Sequence, residues 1–310
     1  TGDTFDGWSD GTNKRAANFA TTMPGQNSTL VAQWVIAAPS APTISSVTAG
    51  DSGATISVAP GAAGGAPASY TVTATPGGAT CTIISPATSC SITPLTNGTA
   101  YTFSATATNS TGTSGATNSS SITPAGVPAA PTGLSAVRGN TTATVSLTPV
   151  PDGSTGGKAI TSYTITAYDA SGNAAGTPCS VIPAATSCTV IGLTNGSAYT
   201  FKATATNGVY TSSLSTASSA ITPATVPNPP TSLVAVTTSP NSANITFVAP
   251  VNNGGDAVTS YTVTSSPGGF TCTVAAPGTS CAITGSLTNG VPYSFTATAS
   301  NGVGASNDGF

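Results

Sequence analysis

The chain has 310 residues and almost no charge: five Lys or Arg, eight Asp, no Glu and no His, with a formal net charge of -3. Charged residues make up 4% of the sequence, against roughly 25% in ordinary soluble domains. Without His or Glu, the commonest Ser-His-Asp, Cys-His and glycosidase arrangements cannot be assembled. The five Lys and Arg residues are also too few and too scattered to create a positive surface that would bind phosphates. The composition predicts a protein that is not an enzyme, needs no cofactor and binds no nucleic acid.

The same composition predicts an all-β fold. Helix formers other than Ala are scarce, and 35 Gly and 24 Pro interrupt the chain every few residues. No apolar run reaches the roughly 18 residues of a transmembrane helix, so we expect no membrane insertion within this chain. Because the sequence opens on Thr1 without a signal peptide, we expect a processed or interior piece of a longer secreted protein.

Residues 1–38 carry a pattern of their own, with Phe5-Asp6-Gly7-Trp8 near the start and Leu30-Val31-Ala32-Gln33-Trp34 near the end. This pattern resembles part of a Listeria/Bacteroides-type repeat, a small β module of bacterial surface proteins. We expect Trp8 and Trp34 to anchor a small core, although exposed indole rings could instead offer a surface for sugars or assembly. Three Asp residues nearby could bind calcium, but no calcium loop is recognisable and solvated turns are favoured; they are Asp3, Asp6 and Asp10.

Three copies of one motif set occupy the rest of the chain. Each copy opens with a Pro-rich stretch that ends in Pro-Thr, and a strand that starts Ser-Tyr follows. The tyrosines Tyr70, Tyr163 and Tyr261 are 93 and 98 residues apart, which is the size of one β-sandwich domain. The predicted domains are 39–125, 126–224 and 225–310, preceded by the β-rich segment 1–38.

A second repeated stretch reads Leu-Thr-Asn-Gly followed by Tyr-x-Phe. Asn-Gly predicts a tight turn with positive φ, and the alternation of Tyr, Phe and Ala predicts a strand with its rings on one face. A Tyr at this place in a Greek-key sandwich can bury its ring and return its hydroxyl to nearby backbone, an arrangement named the tyrosine corner. The predicted corner residues are Tyr101, Tyr199 and Tyr293.

Together these motifs resemble bacterial fibronectin type III domains, from about residue 39 to the end. The resemblance implies three tandem Ig-like β-sandwiches of about seven strands each, which serve as spacers, adhesion modules or protein-interaction modules. It brings no catalytic residues. Where the family commonly has a core Trp in the second strand, this chain has Val58, Leu147 and Phe247, and we expect a repacked core in an unchanged fold.

Six Cys fall into three pairs, each nine residues apart and each straddling a turn that contains Pro. Each pair is therefore predicted to lie on two strands joined by a turn, where a disulfide would staple the neighbouring strands. Zinc is the alternative, but it needs about four ligands, and the chain has no His and no acid beside these Cys. Disulfides favour an oxidising, extracellular compartment, with the protein secreted or attached to a cell surface. The pairs are Cys81 with Cys90, Cys179 with Cys188, and Cys272 with Cys281.

The third copy differs at its end. The first two close on Ile122-Thr123-Pro124 and Ile221-Thr222-Pro223, whereas the third runs from Asn301 to Phe310 without that sequence. We expect its last strand to be lacking, which leaves a sheet edge near Phe310 for a strand from elsewhere. The chain is then either a trimmed fragment or a subunit that receives the strand from another.

Three functions remain open from the sequence. The first is a spacer or adhesive stalk of a bacterial cell-surface protein. The second is a subunit of an extracellular filament or sheath, joined by strand donation between copies and favoured by a surface with few charges to discourage edge pairing. The third is an accessory region of a secreted polysaccharide-degrading enzyme. The expected partners are other copies, other surface proteins or a polysaccharide.

Overall fold

The computed structural model describes Thr4–Ser9, Lys14–Arg15 and residues 31–308. These residues form antiparallel strands and one short 3-10 turn, which confirms the predicted all-β fold. Nowhere in this described part does a helix reach the length and apolarity needed to cross a membrane. Two compact units are present: unit 1 is Thr1–Pro128, Pro151–Ala159 and Asn207–Tyr210, and unit 2 is Ala129–Val150, Ile160–Thr206 and Thr211–Phe310.

A small N-terminal sheet belongs to unit 1. Its central strand β1, Thr4–Ser9, pairs with β2, Lys14–Arg15, and with β3, Val31–Val35. The register of β1 against β3 shifts between Phe5 and Gly7, and Gly7 has a φ of 132°. A residue without a side chain accepts this conformation readily, so the glycine permits the bulge. The likeness of this segment to a bacterial surface repeat stays a prediction.

The first sandwich, also in unit 1, has two sheets. Its strands are β4 Thr43–Gly50, β5 Gly53–Ala59, β6 Ser69–Thr75, β7 Thr80–Ile84, β8 Ser89–Ile92, β9 Thr102–Thr108 and β10 Thr117–Asn118. One sheet has the order β4-β5-β8 and the other the order β10-β9-β6-β7. The chain thus crosses between the layers after β5, after β7 and after β8, as in a Greek-key sandwich.

The second sandwich repeats this plan. Its strands are β11 Thr132–Arg138, β12 Thr142–Thr148, β13 Ser162–Tyr168, β14 Ala174–Val181, β15 Ser187–Ile191 and β16 Thr200–Thr206. The 3-10 turn, Asp152–Ser154, lies between β12 and β13. A single pairing of Thr177 with Ile191 connects the two layers, so the continuous order is β11-β12-β15-β14-β13-β16.

The third sandwich lies in unit 2. Its strands are β17 Thr231–Ser239, β18 Ser242–Val248, β19 Ser260–Ser266, β20 Thr271–Ala275, β21 Ser280–Ile283 and β22 Ser294–Ser300. They form the sheets β17-β18-β21 and β20-β19-β22. The described residues contain no regular strand beyond β22, and only the start of a last segment bridges back, through Ser300 and Ala305.

Each core is built from alternating residues of its strands. In β6 the side chains of Tyr70, Val72 and Ala74 are all buried, while the Thr residues between them face outward, as a period of two dictates. The three sandwiches have separate hydrophobic clusters. The second-strand positions are filled by Val58, Leu147 and Phe247, which are 2%, 5% and 5% exposed, so a smaller residue or a Phe takes the place of the family's Trp.

The last segment of the second sandwich follows a different rule. Buried serines recur every third residue, and each one bonds twice to the same residue of β16: its N–H donates to the carbonyl and its Oγ accepts from the N–H. A side chain thereby substitutes for every second bond of a β ladder. The three pairs are Ser212 with Ala205, Ser215 with Ala203, and Ser218 with Phe201.

Some serines of the other two sandwiches make the same double hydrogen bond to one residue of the neighbouring strand. In the first, Ser114 and Ser119 bond in this way to β9, on either side of the short β10. In the third, Ser306 bonds to Ala299 of β22 with distances of 2.7 and 3.0 Å. The last segments therefore start alike in all three sandwiches.

Candidate functional site: linker clasps and an open groove

Three disulfides are present, one in each sandwich. The paired Cα atoms are 6.2 Å apart for Cys81 and Cys90, and 6.1 and 6.0 Å apart in the later sandwiches. No cysteine of the described residues is free. The later pairs are Cys179 with Cys188 and Cys272 with Cys281.

The sequence predicts a staple between neighbouring strands without saying whether the two strands share a sheet; the disulfides join strands that follow each other along the chain but lie in different sheets. Cys81 lies in β7 and Cys90 in β8, and these strands belong to opposite sheets of the sandwich. The turn between them carries the chain from one layer to the other, so the bond ties the two layers together at one edge. A spacing of nine residues fits either geometry, which is why the sequence alone did not distinguish them.

The hydroxyls of the three tyrosines at the predicted corners each accept a hydrogen bond from a backbone N–H five residues earlier. The hydroxyl of Tyr101 accepts from the N–H of Thr96 at 3.1 Å, and the hydroxyl of Tyr199 accepts from Thr194 at 3.2 Å. In the third sandwich Thr288 donates to Tyr293 at 3.1 Å. Each hydroxyl therefore fixes the Leu-Thr-Asn-Gly loop that precedes its own strand.

The Asn of that loop supports a strained turn elsewhere in the sandwich. In the second sandwich the Asn195 Oδ1 accepts from the N–H of Thr141 at 2.8 Å, and Thr141 has a φ of 53°. In the first, Asn97 does the same for Ser52, whose φ is 52°. A side chain with a Cβ is unfavourable in this left-handed region, so the amide bond helps to hold the turn.

A second Asn in each sandwich holds the linker that precedes the sandwich. At the end of β9 the Nδ2 of Asn109 donates to the carbonyl of Ala37 at 2.7 Å, while its Oδ1 accepts from the N–H groups of Thr111 and Gly112. One side chain thus bonds both to its own turn and to the linker that leads into the sandwich. We call this arrangement the linker clasp.

The linker clasp recurs after β16 and β22. Asn207 is fully buried and donates to the carbonyls of Gly126 and Thr155, at 2.9 and 3.0 Å, all within unit 1. Asn301 is 7% exposed and donates to Thr225 and Asn253, at 2.8 and 2.9 Å, all within unit 2. Both amides are saturated, because their oxygens also accept two backbone N–H groups each.

Double glycines complete the linker contacts in unit 2. The N–H of Thr225 donates to the carbonyl of Gly254 at 2.8 Å, and a Cβ on Gly254 would overlap the carbonyl oxygen of Thr225. Gly255 has a φ of 87°, and a Cβ there would overlap the backbone of Gly196. Only glycine permits this close approach of the two loops. An ion pair of Arg138 and Asp256, 3.0 Å between Nη2 and Oδ2, lies in the same unit.

A groove opens in the third sandwich where the first two are filled. In the first two, an Ile of the last segment bridges to the corner Tyr and packs against the core: Ile122 with Tyr101, and Ile221 with Tyr199. No described residue takes that place against Tyr293. A cavity of about 400 Å³ is found there, and its lining includes Ala235, Ala243, Leu287, Val291, Tyr293 and Phe295.

The predicted ligand or assembly surface is only partly described. The Trp8 side chain is 36% exposed and makes an edge-on contact with Phe5, with ring centroids 5.3 Å apart. The backbone of Trp34 pairs with that of Phe5 in the N-terminal sheet, but its side chain lies outside the description. Phe310, Asp3 and Asp10 also lie outside the described residues. A shared surface of Trp8, Trp34 and Phe310 stays a prediction.

The sequence analysis did not predict the linker clasps or the serines that bond twice to the neighbouring strand, although both leave a pattern in the sequence. Each clasp Asn ends an Ala-Thr-Ala-x-Asn pentapeptide, at 105–109, 203–207 and 297–301. The serines recur every third residue in a stretch where a strand would alternate every second. In so Ser- and Thr-rich a chain, neither signal stands out until the hydrogen bonds are known.

A match to a family model agrees with three tandem domains. The family model for the fibronectin type III domain matches residues 37–123, 129–221 and 228–309. A comparison with curated proteins found no match. Among solved structures, the crystal structure of chicken CNTN1 FN1-FN3 domains is 16% identical, with 88% of this chain and 96% of that chain covered and a TM-score of 0.35. Because the family model accounts for most of the chain in three successive matches, this protein belongs to the fibronectin type III family.

Proposed function

We propose that this chain is a non-catalytic extracellular spacer, a stalk segment of a bacterial cell-surface protein. The observation that carries the proposal is the linker clasp. Each sandwich uses an Asn side chain to fix the linker in front of it, and in the second and third sandwiches that side chain is buried and saturated. A linker bonded in this way is stiffer than a free Pro-rich chain, and stiffness is what a spacer needs to hold other groups away from a surface.

The cellular location rests on the disulfides. Three bonds that tie the layers of small sandwiches are typical of proteins made for an oxidising compartment. Reducing conditions would remove a stabilising link from every domain at once. The bacterial origin has the support of the sequence resemblance alone.

The absence of a catalytic role rests on the chemistry of the side chains. The chain has no His and no Glu, and apart from the three Asp near the start its acidic residues are far apart along the sequence. Each candidate polar side chain described above is committed to holding a turn, a loop or a linker. The partners that suit such a spacer are neighbouring surface proteins or further domains of the parent protein.

The test is a tethered-capture assay. The chain would be fused at one end to a small binding domain and anchored to a bead at the other, with the binding domain attached directly to the bead as the control. We expect the spacer to increase capture of a bulky target severalfold, because it relieves crowding at the surface. Equal capture by both beads would contradict the spacer function.

The adhesive alternative is tested on the chain alone. Its binding to immobilised cell-wall polysaccharides would be measured beside a Trp8→Ala variant, since Trp8 is the exposed aromatic ring best suited to sugars. A spacer shows no saturable binding in either form. Micromolar binding that the substitution abolishes would make the chain an adhesin instead.

A further inference from the structure

A cleft in unit 1 has the size and the lining of a small-molecule site. Its volume is about 660 Å³, and pockets that hold small ligands range from roughly 300 to 1,000 Å³. The first sandwich, the loop after β12 and the turn after β16 all contribute to it. The walls are mostly apolar and carry a single cation, Lys158. The lining includes Ala49, Thr123, Ala125, Lys158, Val209 and Tyr210.

Unit 2 has an equivalent place, which shared hydrogen bonds identify. In each unit the linker donates a backbone hydrogen bond of 2.8 Å to the carbonyl of a glycine, Gly156 in unit 1 and Gly254 in unit 2. Two residues after these glycines, unit 1 has Lys158 and unit 2 has Asp256. A cation therefore stands in unit 1 where an acid stands in unit 2.

A second pair of equivalent positions follows from the strained turns. Ser52 and Thr141 have φ values of 52° and 53°, and each donates its N–H to the Asn of a Leu-Thr-Asn-Gly loop. Three residues before these turns, the first sandwich has Ala49 and the second has Arg138. A methyl group in unit 1 thus corresponds to a long cationic side chain in unit 2.

In unit 2 the two positions form an ion pair that occupies the space. The Nη2 of Arg138 and the Oδ2 of Asp256 are 3.0 Å apart. A Cβ on Gly302, in the turn after β22, would lie 2.7 Å from that Oδ2 and 3.2 Å from that Nη2. In unit 1 no side chain of this length fills the place beside Ala49. None of the described residues supplies Lys158 with an acid.

The turn after β16 adds an aromatic ring to the cleft. The N–H of Asn207 donates to the carbonyl of Tyr210 at 3.1 Å, as the N–H of Asn301 does to that of Gly304. Tyr210 thus stands where the other unit has no side chain. Its ring is partly buried, and its hydroxyl bonds to no other described residue. The ring leaves a flat apolar surface beside the unpaired ammonium of Lys158.

We propose that this cleft binds a small aromatic carboxylic acid in its anionic form. The carboxylate pairs with Lys158, and the ring of the ligand packs against Tyr210 and Val209. Aromatic packing and a charge-assisted hydrogen bond are both favourable, and the two groups lie in one cleft. A phosphate suits the cleft less well, because one cation is its whole positive charge. This inference goes beyond the spacer function and does not depend on it.

The probe is 3-phenylpropanoate, titrated into the whole chain and followed by nuclear magnetic resonance. We expect saturable shifts at Lys158, Val209 and Tyr210, with a dissociation constant below about 1 mM. Two matched compounds separate the charge from the ring. The amide 3-phenylpropanamide lacks the charge and propanoate lacks the ring, so each should bind at least about fivefold more weakly.

Variants of the chain test the same contacts from the protein side. Lys158→Gln should weaken binding at least about fivefold. Lys202→Gln is the control, because it removes a cation that lies 5.1 Å from the centre of another Tyr ring and should leave binding unchanged. Ala49→Arg combined with Lys158→Asp rebuilds the ion pair of unit 2 and should abolish binding. Circular dichroism of each variant would verify folding.

Four results would overturn the proposal. They are a lack of saturation at about 10 mM acid, equal affinity for the acid and its amide, unchanged binding by a folded Lys158→Gln chain, and shifts confined to residues outside the cleft. The capture assay for the spacer depends on none of these results, so the two proposals fail separately.

Discussion

Tyr70 lies at the centre of the first sandwich and is 4% exposed. Burial disfavours the charged phenolate and raises the pKa of Tyr70 above the ordinary value of about 10. In the unfolded chain the hydroxyl ionises near its ordinary pKa. The folded state therefore keeps its stability below about pH 10 and loses it as the pH rises further.

The substitution Tyr70→Phe tests this pH dependence. The variant should lose less stability than the wild type between pH 9.5 and 11, because the buried Tyr70 hydroxyl that resists ionisation is gone. The measurement is urea unfolding of both chains across this pH range. Since the other tyrosines are common to both proteins, the difference reports Tyr70. Parallel curves would contradict the assignment.

The last segment of the second sandwich shows how an element can be held without a regular ladder. The Oγ of Ser215 accepts from the buried N–H of Ala203 at 2.9 Å. Ser215→Ala leaves that N–H without its partner, which we expect to cost about 1–3 kcal/mol in the free energy of unfolding. Ser213→Ala is the matched control, because Ser213 is exposed in the same segment.

Native-state hydrogen exchange separates the two serine variants. The amide of Ala203 should exchange faster in Ser215→Ala and at the wild-type rate in Ser213→Ala. If both variants behaved alike, the serine side chain would not be what holds the last segment to β16.

The disulfides act at the scale of the whole sandwich, because each one ties two layers. Replacement of both Cys81 and Cys90 by Ala opens a loop of about ten residues and should lower the stability of the first sandwich by ~2–3 kcal/mol in the chain-entropy model. Calorimetric unfolding would show one transition moved to lower temperature. Thr80→Ala with Ser89→Ala, exposed positions of the same strands, should leave that transition in place. A shift of similar size in the control pair would contradict the cross-link effect.

The elements show which features a sequence reveals. Alternation of Tyr, Val and Ala along β6 depends only on neighbouring residues, so the strand and its buried face were predictable. The three Cys pairs were also predictable, because cysteines that pair locally are close in sequence. Their position between layers was not, since it depends on how the turn crosses the sandwich.

The Asn residues of the linker clasps show which contacts cannot be predicted from the sequence. Asn301 holds carbonyls of Thr225 and Asn253, which are 76 and 48 residues away along the chain. Such contacts exist only once the fold has brought the ends of strands together. The cavity beside Tyr293 also needed the structure, because residues of β17 and β18 line it together with residues 287–295.

At the scale of the molecule, the account rests on stiff linkers within each unit. In unit 2 the second and third sandwiches are joined by the clasp of Asn301, the close approach of Gly255 to Gly196 and the pair of Arg138 with Asp256. The exposed ion pair contributes little by itself. We expect the buried amide to dominate, because its removal leaves two carbonyls without a donor.

The most direct test is the distribution of distances across this linker, measured by double electron–electron resonance. Spin labels on non-natural residues at Ala170 and Thr279, both exposed in unit 2, would leave the disulfides intact. The account predicts one narrow distance peak for the wild type and a clearly broader one for Asn301→Ala, with Asn307→Ala, an exposed Asn nearby, unchanged. A broad distribution in the wild type, or no effect of Asn301→Ala, would contradict the linker clasp as the basis of a stiff spacer.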